Sequence, residues 1–185
     1  MEYFKMYCDE RIRESFDFSI RESLLSKSTG VHVDKFKKFT FVDFIEKKIG
    51  FNIYFFMSPE ILAICKLYEP ELAAIPFSFI EKSPVLEKIQ KDALNGVIKE
   101  KYDDEELEKI MTKTYWKLET DFIKTDKNLH ELKPGDFPDK HFFIMRHDEV
   151  LHVIVSIYLC ESILRRLPVG VKFKRLKGGK YDEFL

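Results

Sequence analysis

One recurring pattern constrains this fold more than any other feature of the sequence. A short apolar run, a serine and an apolar stripe at helical spacing follow one another three times, over residues 53–68, 77–94 and 150–167. Apolar runs of this length are typical of strands, whereas apolar residues three and four apart form one face of a helix. We therefore expect three strand–serine–helix units.

The serine of each unit is expected to have a structural role. Ser58, Ser83 and Ser156 stand where a helix begins, and a serine there accepts a hydrogen bond from a first-turn N–H that has no partner inside the helix. Pro59 and Pro84 follow two of them, at a position that needs no donor. Because the sequence places no base beside these hydroxyls, we interpret the three serines as helix caps and not as nucleophiles.

The composition supports one globular unit. The chain has 185 residues, of which 45% are hydrophobic, and it carries 18 Phe and 8 Tyr beside only 7 Gly. A chain of this length buries roughly 70% of the surface that its unfolded form exposes, and large rings fill its core. We predict a single α+β domain over residues 1–185, with a mostly antiparallel sheet and several helices on one face or flank.

Local patterns predict further elements. Period-two alternation indicates strands at Tyr3–Cys8 and Phe16–Ile20, and rings on both faces indicate a buried strand at Phe39–Ile45. Helical spacing continues from Asp103 to Thr114, and a strand pattern begins at Trp116. These elements are consistent with a fold in which strands outnumber helices.

The C-terminal third predicts a β-hairpin. Two apolar strands, His141–Met145 and Val150–Val155, flank the polar residues Arg146–Glu149. This arrangement favours a four-residue loop, with Met145 opposite Val150 and His152 opposite Phe143.

Three of the five histidines, His141, His147 and His152, lie in this hairpin beside Asp148 and Glu149. In the predicted register His141 and His152 are diagonal neighbours on one face, close enough to share an ion. The sequence HDEVLH differs from a zinc-protease helix, because its histidines are five apart where H-E-x-x-H needs four. We expect no cofactor, and a metal-dependent hydrolase that uses these histidines is the alternative.

Charge is balanced overall but uneven along the chain. Lys and Arg number 31 against 32 Asp and Glu, which argues against a general binder of nucleic acid or membrane surfaces. No acid interrupts the bases from Arg165 to Lys180, and Gly170–Leu176 alternates as a half-exposed edge strand. A protein partner with acidic patches fits this strand, and a nucleic-acid-associated module is a second alternative.

The cysteines and the apolar runs indicate the cellular compartment in which we expect the protein. Cys8, Cys65 and Cys160 are odd in number and embedded in apolar runs, as free thiols of a reducing compartment are. The first residues mix acids and bases and contain no apolar signal core. The longest apolar runs fall far short of the ~20 residues that a membrane helix needs. We expect a cytoplasmic protein without membrane association.

The segment from Asp139 to Leu176 reads DKHFFIMRHDEVLHVIVSIYLCESILRRLPVGVKFKRL. Its two apolar strands, its helix that begins at a serine and its final strand, which opens with G-V-K-F, resemble the closing part of a large family of bacterial immunity proteins from polymorphic toxin systems. That family closes with two strands, a helix that begins at a serine and a G-v-x-F strand. The opening MEYFKMYCDE and the unit at Pro76–Leu94 are also similar to the family. The residues that carry the resemblance are Phe142, Phe143, Ile154, Val155, Ser156, Glu161, Ile163 and Gly170–Phe173.

The resemblance implies a non-enzymatic cytoplasmic antidote that binds and occludes a toxin domain. Such a protein needs a surface complementary in charge to its target, with aromatic and arginine anchors in the interface. The residues expected to contact the partner lie at the hairpin tip and on the basic strand: Arg146, His147, Asp148, Glu149, Lys172, Lys174 and Arg175.

Overall fold

A computed structural model describes most of the chain. The described residues are 1–13, 31–34, 42–49, 52–81, 91, 95, 112–119, 121–127, 129, 131–176 and 183–184. Their strands are β1 (Tyr3–Cys8), β2 (Val31–Asp34), β3 (Phe44–Ile49), β4 (Asn52–Met57), β5 (Ala74–Glu81), β6 (Thr112–Leu118), β7 (Phe122–Lys124), β8 (Phe142–His147), β9 (Val150–Ser156), β10 (Val171–Leu176) and β11 (Glu183–Phe184). Their helices are α1 (Glu10–Arg13), α2 (Pro59–Tyr68) and α3 (Ile157–Leu164), with a 3-10 turn at Pro134–Asp136.

The strands form two sheets. Sheet 1 has the order β11-β10-β1-β9-β8-β7, and sheet 2 has the order β2-β5-β6-β4-β3. Within each sheet the described neighbours are antiparallel except for one edge pair, β7 with β8 and β2 with β5. Because β1 lies between β9 and β10, the first strand of the chain is held by strands from its C-terminal third.

The two sheets and the two longer helices share one hydrophobic core. The face of sheet 1 that contributes to it, called the inner face, supplies Phe4, Met6 and Phe173, and sheet 2 supplies Phe44 and Met57. Buried side chains of α2 and α3 complete this core. The opposite face of sheet 1, called the outer face, carries a smaller cluster at one end: Tyr3, Leu129, Leu132, Phe143, Met145 and Ile154.

The two longer helices, α2 and α3, each begin at a predicted serine. Ser58 Oγ accepts a hydrogen bond from Ile61 N–H at 3.3 Å, and Ser156 Oγ accepts one from Leu159 N–H at 3.3 Å. Both serines are completely buried. The interpretation of these two serines as caps is confirmed, whereas Ser83 lies outside the described residues.

The expected fold class is confirmed in its coarse form. The protein is an α+β structure dominated by strands, and most described strand pairs are antiparallel. The prediction of several helices was wrong for the described part of the chain, where only α2 and α3 exceed a single turn. There are also two sheets where one was expected. The single domain over residues 1–185 stays a prediction.

Two predicted elements are displaced along the chain. Thr112–Thr114, expected at the end of a helix, pairs instead with Ser78–Ile80 of β5, where β-branched threonines suit a pleated surface. Of the strand predicted at Phe39–Ile45, Val42 and Asp43 precede the observed strand Phe44–Ile49, and residues 39–41 lie outside the described residues. The strand predicted at Phe16–Ile20 lies outside the described residues, as does the earlier part of the predicted helix.

The hairpin of β8 and β9 is two residues tighter than the sequence predicted. Met145 lies opposite His152, and His147 lies opposite Val150, so that the turn contains only Asp148 and Glu149. These two residues have φ values of 45° and 64°, and a two-residue type I′ turn requires positive φ at both positions. The four-residue loop was wrong because such turns are usually recognised by Asn-Gly or Asp-Gly, and glycine is absent here.

Candidate functional site

The outer face of sheet 1 carries an open, positively charged cleft. Alternation along β1 places Met6 in the main core and leaves Lys5 and Tyr7 on the outer face. Pairing with β10 puts Lys174 opposite Lys5 and Lys172 opposite Tyr7. The cleft, called the basic cleft below, has a volume of about 390 Å³ and is lined by Lys5, Tyr7, Asp9, Glu10, Arg11, Lys172 and Lys174.

Two lysines face each other directly in the basic cleft. Burial lowers the pKa of Lys5, and the charge of Lys174 lowers it further, while the carboxylates of Glu46 and Glu10 oppose the shift. Like charges that lie opposite on neighbouring strands destabilise a sheet. Burial and the repulsion from Lys174 thus both disfavour the charged form of Lys5, and the carboxylates of Glu46 and Glu10 offset part of that cost.

Asp9 organises the rim of the basic cleft. Its Oδ1 accepts a hydrogen bond from the Arg11 backbone N–H at 3.0 Å, and its Oδ2 lies 3.2 Å from Arg11 Nη2 and 3.4 Å from Lys172 Nζ. The hydrogen bond from the Arg11 side chain is the main reason that the pKa of Asp9 is lowered. The ionised Asp9 thus holds Arg11 and Lys172 at the same edge of the cleft.

The hairpin tip presents a second set of charged side chains. His147 Nε2 lies 3.3 Å from Asp148 Oδ2, on the same face of sheet 1 as the basic cleft. Arg146 forms an ion pair with Glu149, and its guanidinium lies 5.3 Å from the centroid of the Phe122 ring. The tip is therefore internally paired rather than an array of isolated charges.

The register divides five of the seven predicted contact residues between the two faces of sheet 1, and the other two, Asp148 and Glu149, form the hairpin turn. Lys172, Lys174 and His147 share the outer face with Lys5 and Tyr7. Arg175 alternates to the other face and pairs with Glu2 across the sheet edge, and Arg146 also alternates away from the basic cleft.

The sequence missed Lys5, Tyr7 and Arg11 as cleft residues. Alternation in β1 places Lys5 and Tyr7 on the face opposite its apolar residues, but no local pattern reveals that β1 pairs with β10 or that Arg11 lies beside them. The cleft residues near the start of the chain were therefore missed because they depend on a long-range strand pairing.

The three hairpin histidines do not converge. His141 lies opposite Ser156, whereas His152 lies opposite Met145, about 13 Å further along the strands at 3.3 Å per residue. Among the described residues, no group of three or more His, Cys, Asp or Glu side chains is placed to hold a metal ion. The predicted hairpin register, in which His141 and His152 were diagonal neighbours, was therefore wrong.

His152 occupies an unusual position between the hairpin and the basic cleft. Its Nδ1 is buried and has no hydrogen-bond partner. Burial lowers the pKa of His152 to about 4, and the charges of Lys5 and His147 act in the same direction. The ring is accordingly neutral at pH 7, and an added proton would be repelled by the charge of Lys5.

The structure places a base beside Ser156 that sequence reasoning did not anticipate. His141 Nδ1 lies 2.8 Å from Ser156 Oγ. The nearby carboxylate of Glu69 accepts from the His141 backbone N–H at 2.6 Å, so it does not orient the imidazole ring as a catalytic acid would. Ser156 Oγ is fully buried and already caps α3, which leaves no path for a substrate.

Comparisons of the chain with protein-family models, with curated proteins and with solved structures each found no match. No helix in the described part of the chain has both the length and the apolar character needed to cross a membrane.

Proposed function

We propose that this protein is a non-enzymatic binding protein of the immunity class, which neutralises a toxin domain by binding an acidic surface of it in the basic cleft. The observation that supports the proposal most is the facing pair Lys5 and Lys174, with Lys172 beside them on the same face. A carboxylate on a partner would be attracted by all three lysines, so the charge of the cleft is complementary to an acidic surface.

The ammonium group of Lys5 carries a cost to the fold. Residues kept for binding often destabilise the free protein, because function and not folding determines their identity. The pKa of Lys5 is lowered mainly because the side chain is partly buried, and repulsion from Lys174 adds to the shift. A substitution that removes the charge but keeps the apolar stem separates the two roles.

Lys5→Met is that substitution, and survival of cells that express the neighbouring toxin domain is its readout. We expect the wild-type protein to rescue growth and Lys5→Met to rescue poorly, although its unfolding midpoint stays equal or rises. Lys124→Met is the matched control, since Lys124 is exposed on β7 outside the basic cleft. Failure of the wild-type protein to rescue from, or bind, any neighbouring product would overturn the proposal.

A nucleic-acid-associated module is the second candidate, because Tyr7 lies among the lysines of the cleft. Proteins that bind single-stranded nucleic acid combine a positively charged groove with aromatic side chains on which the nucleobases stack. Steep salt-dependent binding of generic RNA or DNA that is lost in Tyr7→Ala would favour it. The hydrolase alternative has no such support, since His141 and His152 are separated along the hairpin.

A further inference from the structure

The solvent-facing side of α2 is a self-complementary stripe. The exposed residues of this helix recur at spacings of three and four, which places them on one face. The small residue Ala63 is at the centre of the stripe, and oppositely charged residues lie three positions to either side of it. The stripe consists of Pro59, Glu60, Ala63, Lys66 and Leu67.

An apolar groove runs beside this stripe. A cavity of about 610 Å³ lies between α2 and the loop that follows α3, and its lining includes Ala63, Leu67, Leu167 and Val169. Leu67 is 81% exposed and Leu167 is 85% exposed. Two large apolar side chains are therefore presented to solvent across one groove.

Leu167 also has a strained backbone. Its φ is 52°, a left-handed conformation that a residue with a Cβ adopts only at an energetic cost. Strain of this kind persists where the surrounding structure or a function maintains it. The exposed side chain gains little from the monomer in return, which points to a contact outside the monomer.

We infer that this surface binds a second copy of the chain, with the two α2 helices antiparallel about a twofold axis at Ala63. In that arrangement Glu60 lies opposite Lys66 of the other copy, and Leu67 lies opposite Pro59 of the other copy. A twofold interface uses the same patch twice and must be self-complementary, which this order of charges satisfies. Ala63 at the crossing point lets the helices approach closely, and Leu167 extends the apolar contact.

The dimer is expected to be weak. The contact involves only a helix of ten residues and one loop on each copy. A contact of this size is expected to bury less surface area than a stable interface does, as transient interfaces do. Association should therefore depend on concentration in the micromolar to millimolar range. This inference does not rest on the proposed function, because it concerns a surface outside the basic cleft.

Sedimentation equilibrium over a concentration series, with charge reversals on α2, tests the inference. Glu60→Lys and Lys66→Glu alone should each weaken the dimer by about tenfold or more, because each creates two like-charge contacts across the axis. The double variant Glu60→Lys/Lys66→Glu should recover most of the loss. Lys124→Glu, on β7, is the matched control and should leave the dimer constant unchanged.

The variant Leu167→Gly separates an effect on dimerisation from an effect on folding stability. Glycine adopts the left-handed conformation without strain, so the unfolding midpoint should hold or rise while dimerisation weakens about tenfold. A protein that stays monomeric up to about 1 mM would overturn the inference. A dimer that ignores the single reversals, or that the double reversal fails to restore, would also overturn it.

Discussion

The two described strand–serine–helix units use the same cap but hold it with different chemistry. In the first unit, β4–Ser58–α2, the serine hydroxyl donates to Asp43 Oδ1 at 2.7 Å. In the second unit, β9–Ser156–α3, the serine Oγ lies 2.8 Å from His141 Nδ1. Each anchor precedes its serine by 15 residues and accepts the serine's backbone N–H with its own carbonyl oxygen. The backbone arrangement is thus repeated, and the side chain that completes it is not.

Each anchor also contacts the segment that follows the helix of the other unit. Asp43 Oδ2 accepts a hydrogen bond from Val169 N–H at 2.7 Å, beyond α3. The His141 backbone N–H donates to Glu69 Oε1 at 2.6 Å, just beyond α2. Asp43 contacts both Ser58 and Val169 with its side-chain oxygens. His141 contacts Ser156 with its ring but contacts Glu69 with its backbone N–H. The side chain of Asp43 should therefore matter far more to stability than the ring of His141.

The matched pair Asp43→Ala and His141→Ala tests this asymmetry, and it carries the largest expected effect. Asp43→Ala leaves the buried Ser58 hydroxyl and the Val169 N–H without acceptors, at about 1–3 kcal/mol each, so we expect a loss of about 4 kcal/mol. His141→Ala removes only one such partner, that of the buried Ser156 hydroxyl, and should cost about 2 kcal/mol. Chemical denaturation of both variants measures the free energies of unfolding. Equal losses would show that the two anchors are equivalent.

The second unit should also respond to acid through His152, which lies on β9. The pKa of this group is lowered to about 4 in the folded protein from an ordinary value near 6.5. The unfolded chain therefore binds the proton first, and stability falls as pH drops from about 6.5 to about 4, by about 3 kcal/mol at most.

His152→Phe should remove that part of the pH dependence and the unpaired buried Nδ1 together. The difference in unfolding free energy between wild type and variant, measured at pH 7 and at pH 4, isolates the contribution. A difference that is constant with pH would mean that His152 titrates normally in the folded protein.

The smallest effect concerns the hairpin turn of the second unit. Glu149 has φ 64°, which glycine adopts freely, so Glu149→Gly should stabilise the protein by about 0.5–1 kcal/mol. Its exposed ion pair with Arg146 contributes little. Glu149→Ala is the control, because it loses the ion pair but keeps the strained Cβ, and it should not stabilise. Equal thermal midpoints for the two variants would contradict the assignment of strain to this turn.

Local structure was predictable from the sequence to the extent that its interactions are local. Ser58 and Ser156 cap helices by contacts three residues away, and the alternation of β1 fixes which side chains enter the core. The hairpin register failed over only two residues, because the positive φ values of Asp148 and Glu149 are not encoded by a glycine. The repeated anchors at Asp43 and His141 were hidden because their side chains differ.

The basic cleft could be predicted only in part. Lys172 and Lys174 were recognised from alternation in β10, but their neighbour Lys5 comes from the other end of the chain. No local sequence pattern predicts that β1 inserts between β9 and β10, because that pairing depends on the packing of the whole sheet. The charge of the cleft is therefore a property of the topology more than of any one segment.

The most direct test of the proposed function is the affinity of Lys5→Met for the neighbouring toxin domain, measured by calorimetry beside the unfolding midpoint of the same variant. We predict one-to-one binding by the wild-type protein, at least about tenfold weaker binding by Lys5→Met, and a midpoint that is unchanged or higher. Absence of binding by the wild-type protein, or equal affinities for wild type and variant, would contradict it.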